Sequence, residues 1–243
     1  MCAYSATVSE LNDRRARKKA QTREAVRTVA QRLFAERGFE AVTIADVARE
    51  ADVAVQTVFN HFATKEDLFF DGHAPWVEGP ADAVRSREPG VAALSALRAY
   101  YVKLVEVRIG SLVKPDRRAF VETLEACELL RAKERELLTE CERELAAALL
   151  EASEDCTQQI PADPSTAARL TAAIWTSTAR VLIVERRPRV ADGVDPAVAA
   201  SEYRELADWT LRQLDHALGP VGASDRDVHP DTGWPQGIAA SAG

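Results

Sequence analysis

Turn-forming residues are scarce, with 11 glycines and 11 prolines in 243 residues, about 9% against an average usage of roughly 12%. That scarcity argues against a turn-rich β-sandwich, which needs many tight reversals. Cysteine is also rare. Cys2, Cys127, Cys141 and Cys156 lie far apart with no CxxC pair, so neither a disulfide framework nor a zinc site is expected. No charge-free run approaches the ~18 apolar residues that a membrane span needs, so no membrane association is expected. The N-terminus has no apolar stretch behind its charges and does not read as a secretory signal, which predicts a cytoplasmic protein. The sequence motifs GxxxxGK[ST], GxGxxG, GxSxG and HExxH are missing, and His73, His216 and His229 stand alone. No enzyme, metal site or cofactor is expected.

What is present is a helix former's composition: 47% hydrophobic and 28% charged residues, rich in Ala, Leu, Glu and Arg. The net charge of −7 is unevenly spread. Between residues 14 and 32, Arg14, Arg15, Arg17, Lys18, Lys19, Arg23, Arg27 and Arg32 face a single acid, Glu24. A basic N-terminal end on an acidic body points to a polyanionic partner at one end only.

Apolar spacing predicts a first helix from about Arg14 to Arg37, with Val26, Val29, Ala30, Leu33 and Phe34 on one stripe and Gly38 ending it. Thr43 with Asp46, and Thr64 with Asp67, have the spacing of capping boxes opening a second and a fourth helix. A third helix fits residues 54–61, with Val58 and Phe62 on its inner side. Gly72, Pro75, Gly79 and Pro80 interrupt the pattern as far as Gly90, the expected inter-domain connection. Beyond lie a stripe from Val91 to Val105 and a longer one from Asp116 to Ser153 with a break inside. Asp163-Pro164 and Asp195-Pro196 open two long helices, 164–186 and 196–218. The expected organisation is a flexible basic arm (1–19), a small helical domain (20–66), a larger one (67–218) and a disordered tail (219–243).

Residues 43–68, TIADVAREADVAVQTVFNHFATKEDL, hold two short helices around a tight break, the spacing of a helix-turn-helix. A plain αα-hairpin in a helical bundle would permit the same apolar spacing. The specific residues go further. Leu33-Phe34-Ala35-Glu36-Arg37-Gly38-Phe39, Thr43-Ile44, the frame Ala45 to Ala48, Thr57, Phe59-x-His61-Phe62 and Lys65-Glu66-x-Leu68 resemble the N-terminal domain of the tetracycline-repressor (TetR) family of transcriptional regulators. The match departs at Asp52, where the family usually has Gly, at Ala54 for Ser or Thr, and at Phe59 for Tyr. Asp tolerates a left-handed backbone, while Ala54 removes a cap and a phosphate contact.

The resemblance implies that Thr43, His61 and Lys65 touch phosphates of double-stranded DNA. Gln56 is the best candidate base reader, since a Gln can bond adenine bidentately, and Val55 beside it can meet a thymine methyl. Thr57 and Asn60 would contact base or phosphate, beside Phe59. For Thr57 a buried hydroxyl, and for His61 a packing role, are the plainer alternatives. The basic run could enter the minor groove or simply be solvated.

For the body, the resemblance implies a helical domain binding a small-molecule effector and forming a homodimer through its last two long helices. Ala167, Ala168, Ala172, Ala173 and Ala179 would make one narrow helix, and Tyr203, Leu206, Thr210, Leu211, Leu214 and Leu218 stripe the other. Trp76, Tyr101, Phe120 and Trp175 are candidate ligand contacts, combining apolar area with polar tips, although each would serve equally well as core. Glu134 breaks the long stripe and reads as a surface residue, with contact to a basic ligand as the alternative; Cys127 and Cys141 read as inert core thiols, with oxidant sensing as the alternative. The expected function is an all-α, ligand-responsive regulator, a repressor on a palindromic operator released by ligand. The alternative is a small-molecule-binding helical protein with a decayed DNA-binding head.

Overall fold

The computed structural model describes residues 3–72, 74–152, 162–184 and 195–218. Cys2, His73, Cys156, His229 and the tail 219–243 lie outside them. Every regular element among the described residues is helical: α1 (Ala3–Arg37), α2 (Ile44–Glu50), α3 (Val55–Phe59), α4 (Lys65–Phe70), α5 (Gly79–Arg85), α6 (Ala93–Gly110), α7 (Pro115–Ala126), α8 (Glu128–Glu151), α9 (Pro164–Ile183) and α10 (Pro196–Leu218), with a 3₁₀ turn at Ser111–Val113. The all-α expectation and the break inside the long stripe, at Cys127, both hold.

The chain divides into two units, a head of Met1–Ala74 with Glu122–Lys133 and a body of Pro75–Val121 with Glu134–Gly243. This moves the expected boundary after residue 66. Helix α4 stays with the head because Leu68, Phe69 and Phe70 are buried there. Phe69 packs at 5.8 Å from Phe34 and 5.5 Å from Phe39, ring centre to ring centre. Residues 122–133 also join the head, where the Lys133 ammonium lies 2.9 Å from the Asp67 carboxylate. The expected connection 72–90 is partly helical, since Pro80, Ala81 and Val84 of α5 are buried.

Helix α1 extends back to Ala3, so the basic run expected as a flexible arm is exposed helix. No Gly or Pro interrupts it before Gly38, which ends it at φ +81°. Both capping boxes form, Thr43 with Asp46 and Thr64 with Asp67. Asp163 accepts from the Ser165 and Thr166 amides at 3.1 Å, starting α9.

The body core joins α6, α9 and α10 with residues of α5 and α8. Here the expected dimer stripe needs correction. Ala167, Ala168, Ala172, Ala179, Leu206 and Leu211 are buried within the chain's own core, so they are not available to a partner, while Ala173, Tyr203, Thr210, Leu214 and Leu218 are half-buried. The apolar surface left on α9 is Leu170, Ile174 and Val181, 46%, 37% and 39% exposed, at spacings that share one helical face.

Candidate functional site

In the head, the break between α2 and α3 turns through Asp52 at φ +52°, the left-handed conformation that Gly usually supplies. Ala54 starts α3 with no side-chain cap. The second helix is held by Val58, fully buried, and by Phe62 just beyond it. Val55, Gln56, Phe59 and Asn60 are all exposed and recur at i, i+1, i+4 and i+5. Four expected contact residues therefore occupy one outward face, and Thr57 is half-buried beside them. The Gln56 amide donates to Asn60 Oδ1 at 3.2 Å.

The expected phosphate contacts have other bonds. The Thr43 hydroxyl donates to Asp46 Oδ2 at 2.6 Å and accepts from the Asp46 amide at 3.1 Å. Hydrogen bonds from the Thr43 hydroxyl and amide, aided by the Arg49 guanidinium, hold the Asp46 carboxyl down at about 2. Lys65 is half-buried, its ammonium donating to the carbonyls of Phe39 at 2.9 Å and Val42 at 3.0 Å, 4.1 Å above the Phe39 ring. One of its three N–H donors remains for an incoming anion. Burial, then the charges of Lys19 and Arg23, push His61 below its ordinary 6.5. Its imidazole is neutral at pH 7, with Nδ1 buried and without a hydrogen bond.

Part of the basic run is spent inside the head. The Arg23 guanidinium donates to the His61 carbonyl at 2.7 Å and to Asp71 at 2.5 Å, while lying 4.4 Å over the Phe62 ring. Arg27 pairs with Glu24 at 2.5 Å, and Arg32 with Glu50 at 2.6 Å. Arg23 thus ties the chain just after α3 to α1, a role that sequence reasoning missed because its partners are 38 and 48 residues away. Residues 14–20 remain an exposed helical stretch.

In the body, a cavity of about 420 Å³, partly open to solvent, is lined by Trp76, Tyr101, Leu104, Arg108, Glu134, Leu138, Cys141, Thr176, Ala179, Arg180, Ile183 and Val184. Two of the four expected ligand residues, Trp76 and Tyr101, line it. Trp175 does not. It is fully buried and stacks on Tyr101 with ring centres 6.3 Å apart. Phe120 also lies off the cavity, packed against the core with the Arg117 guanidinium 4.6 Å over its ring.

Glu134, expected at the surface, is 6% exposed and part of the lining. The Cys141 thiol donates to the Trp76 carbonyl at 3.3 Å, and burial pushes it up to about 11, leaving it protonated and unreactive. Thr176 was missed by sequence reasoning. A hydroxyl interrupting the apolar face of α9 was the available signal.

Residues 27–71 match the family model described as bacterial regulatory proteins, tetR family. None of the curated proteins compared matches the chain. Among solved structures, it is similar to GusR of Salmonella enterica, at 20% identity and TM-score 0.50 over 82% of this chain and 95% of that one. It is also similar to native NalD, the secondary repressor of the MexAB-OprM multidrug efflux pump in Pseudomonas aeruginosa, at 20% identity and TM-score 0.51 over 84% and 99%. SmeT in complex with triclosan matches at 19% identity and TM-score 0.51 over 87% and 98%. At these identities the likeness to solved structures establishes the shared fold.

Proposed function

We propose that this chain, which carries the N-terminal domain of the tetR family of bacterial regulatory proteins, is a ligand-responsive repressor that binds a palindromic operator as a homodimer. The observation that carries this reading is the outward face of Val55, Gln56, Phe59 and Asn60 on a helix otherwise anchored by Val58. A helix so presented can enter the major groove, with Gln56 reading a base edge, Asn60 holding it in place and Val55 and Phe59 supplying apolar contact. Thr43, Thr57, His61, the third N–H of Lys65 and exposed residues 14–20 supply backbone contacts.

Dimerisation is assigned to the apolar face of Leu170, Ile174 and Val181 on α9, in place of the alanine and leucine stripes buried in the core. Two copies joined there would present two heads, which matches half-sites a whole number of DNA turns apart. A small molecule in the body cavity releases DNA if it binds the non-DNA conformation better. The coupling is reciprocal and typically ~1 to 3 kcal/mol. The protein acts where its operator is, in the cytoplasm.

The decayed-head alternative draws on Asp52 and Ala54, both departures from the family pattern. Against it, the head keeps a closed aromatic core and both capping boxes. The two readings separate in a titration of the full chain into duplex DNA from upstream of its own and neighbouring genes, at two salt concentrations. Tight binding that weakens steeply with salt supports the repressor. Failure on all duplexes at both concentrations supports the decayed head.

A further inference from the structure

Among the described residues of the body, the Tyr101 hydroxyl, the Thr176 hydroxyl and the Trp175 indole N–H are buried without a hydrogen bond of good geometry; the two hydroxyls and the Cys141 thiol are near neighbours that influence one another's ionisation, but none of the three is a strong acceptor for the others. Two of them, Tyr101 and Thr176, line the cavity, and they are only 2% and 6% exposed. Burying a hydroxyl without a partner is costly, so native structures seldom leave one so. The backbone of α9 does satisfy a similar group nearby: Thr171, fully buried, donates to the Ala167 carbonyl at 2.9 Å. Thr176 makes no such bond. The neighbouring Cys141 thiol is already directed at the Trp76 carbonyl.

The chemistry of what completes these hydroxyls follows from the lining. Burial raises the Tyr101 phenol well above its usual 10, so it stays protonated and is a donor at physiological pH. Most of the remaining wall is apolar, from Leu104, Leu138, Ala179, Ile183 and Val184. Its charged members are Arg108, Arg180 and Glu134, a formal excess of one positive charge, which disfavours a cation. The space of about 420 Å³ includes its part open to solvent, so the enclosed room suits only a compact molecule.

We propose that the cavity takes a compact, mostly apolar molecule bearing one acceptor oxygen, a carbonyl or a carboxylate, which receives hydrogen bonds from the Tyr101 and Thr176 hydroxyls. The proposal rests on reading the body as an effector-binding unit, but its test reads no DNA. Loss of operator binding and loss of this ligand chemistry are therefore separate results.

The test is equilibrium dialysis of the full chain against four probes on one frame: naphthalene, 2-acetylnaphthalene, 2-naphthoate and 2-naphthylmethylammonium. At least one acceptor-bearing probe should bind about fivefold tighter than naphthalene, the size of a single hydrogen bond. Tyr101→Phe and Thr176→Val should each shrink that ratio toward unity, and wild-type helical content in circular dichroism shows that the variants fold. Preference for 2-naphthoate identifies the acceptor as a carboxylate, and preference for 2-acetylnaphthalene as a neutral carbonyl. The proposal is overturned if naphthalene binds as tightly as both, if the ammonium binds best, if neither variant changes the ratio, or if no probe binds.

Discussion

Gln56 donates its side-chain amide to Asn60 Oδ1, 3.2 Å away, one turn along the exposed face of α3. The bond holds Gln56 in one orientation, which under the proposed function lowers the entropy it would lose on meeting a base edge. Asn60→Ala should therefore weaken operator binding by about 0.5 kcal/mol, the worth of such a helical pair, while leaving the base preference of Gln56 in place. Anisotropy titrations against duplexes carrying single base-pair changes check this. A changed preference at the Gln56 base pair would instead make Asn60 a reader in its own right.

Lys65 clamps the head, whatever it contributes to the proposed phosphate contacts. Its ammonium bridges the carbonyls of Phe39 and Val42 at the turn leading into α2. Lys65→Met should lower the unfolding free energy by about 1 to 3 kcal/mol, the cost of leaving such acceptors unpaired, in urea unfolding monitored by circular dichroism. The accompanying drop in the salt slope of DNA binding should not exceed about one.

The pH dependence of the head follows from His61. Its pKa in the folded state lies below 6.5, so the unfolded chain binds the proton more readily. Stability from this group is complete above 6.5 and is lost as pH falls through that value toward the folded one. His61→Gln should flatten the decline in unfolding free energy between about pH 7.5 and pH 5.5, a region set by the ordinary histidine pKa of about 6.5. An unchanged decline would assign it to other groups.

Asp52 occupies a left-handed turn that glycine adopts without steric cost. Asp52→Gly should be neutral or stabilising by up to about 1 kcal/mol, and Asp52→Val should destabilise by about 1 to 2 kcal/mol. Urea midpoints of the two variants measure both.

Leu170→Glu with Ile174→Glu should yield a monomer with unchanged helical content, because both side chains are already exposed on the single chain. Sedimentation equilibrium with circular dichroism reads the two quantities. A dimer that survives this double change would move the interface elsewhere.

The head was legible in the sequence because its signals are local. Thr43 and Asp46, or Thr64 and Asp67, lie three residues apart, and Gly38 and Asp52 mark turns by residue type. The outward position of Val55, Gln56, Phe59 and Asn60 followed from helical periodicity around Val58. What distant partners decide was not legible. Lys65 and Arg23 read as free cations until the fold brings Phe39, Val42, His61 and Asp71 to them. The body shows the same limit: α9 and α10 were recognisable as helices, but alanine and leucine stripes look alike whether they face a partner copy or, as here, α6 and its neighbours. Glu134 and Thr176 could be assigned to a cavity only once α8 and α9 were placed.

Sequence-selective DNA reading by α3 is measured by anisotropy titration of the wild type and Gln56→Ala into the upstream duplex and a scrambled duplex of equal length. The wild type should prefer its operator, and Gln56→Ala should lose about 1 to 3 kcal/mol of that preference, with little change on the scrambled duplex. Equal wild-type affinity for both duplexes, or a preference that Gln56→Ala leaves intact, would contradict it.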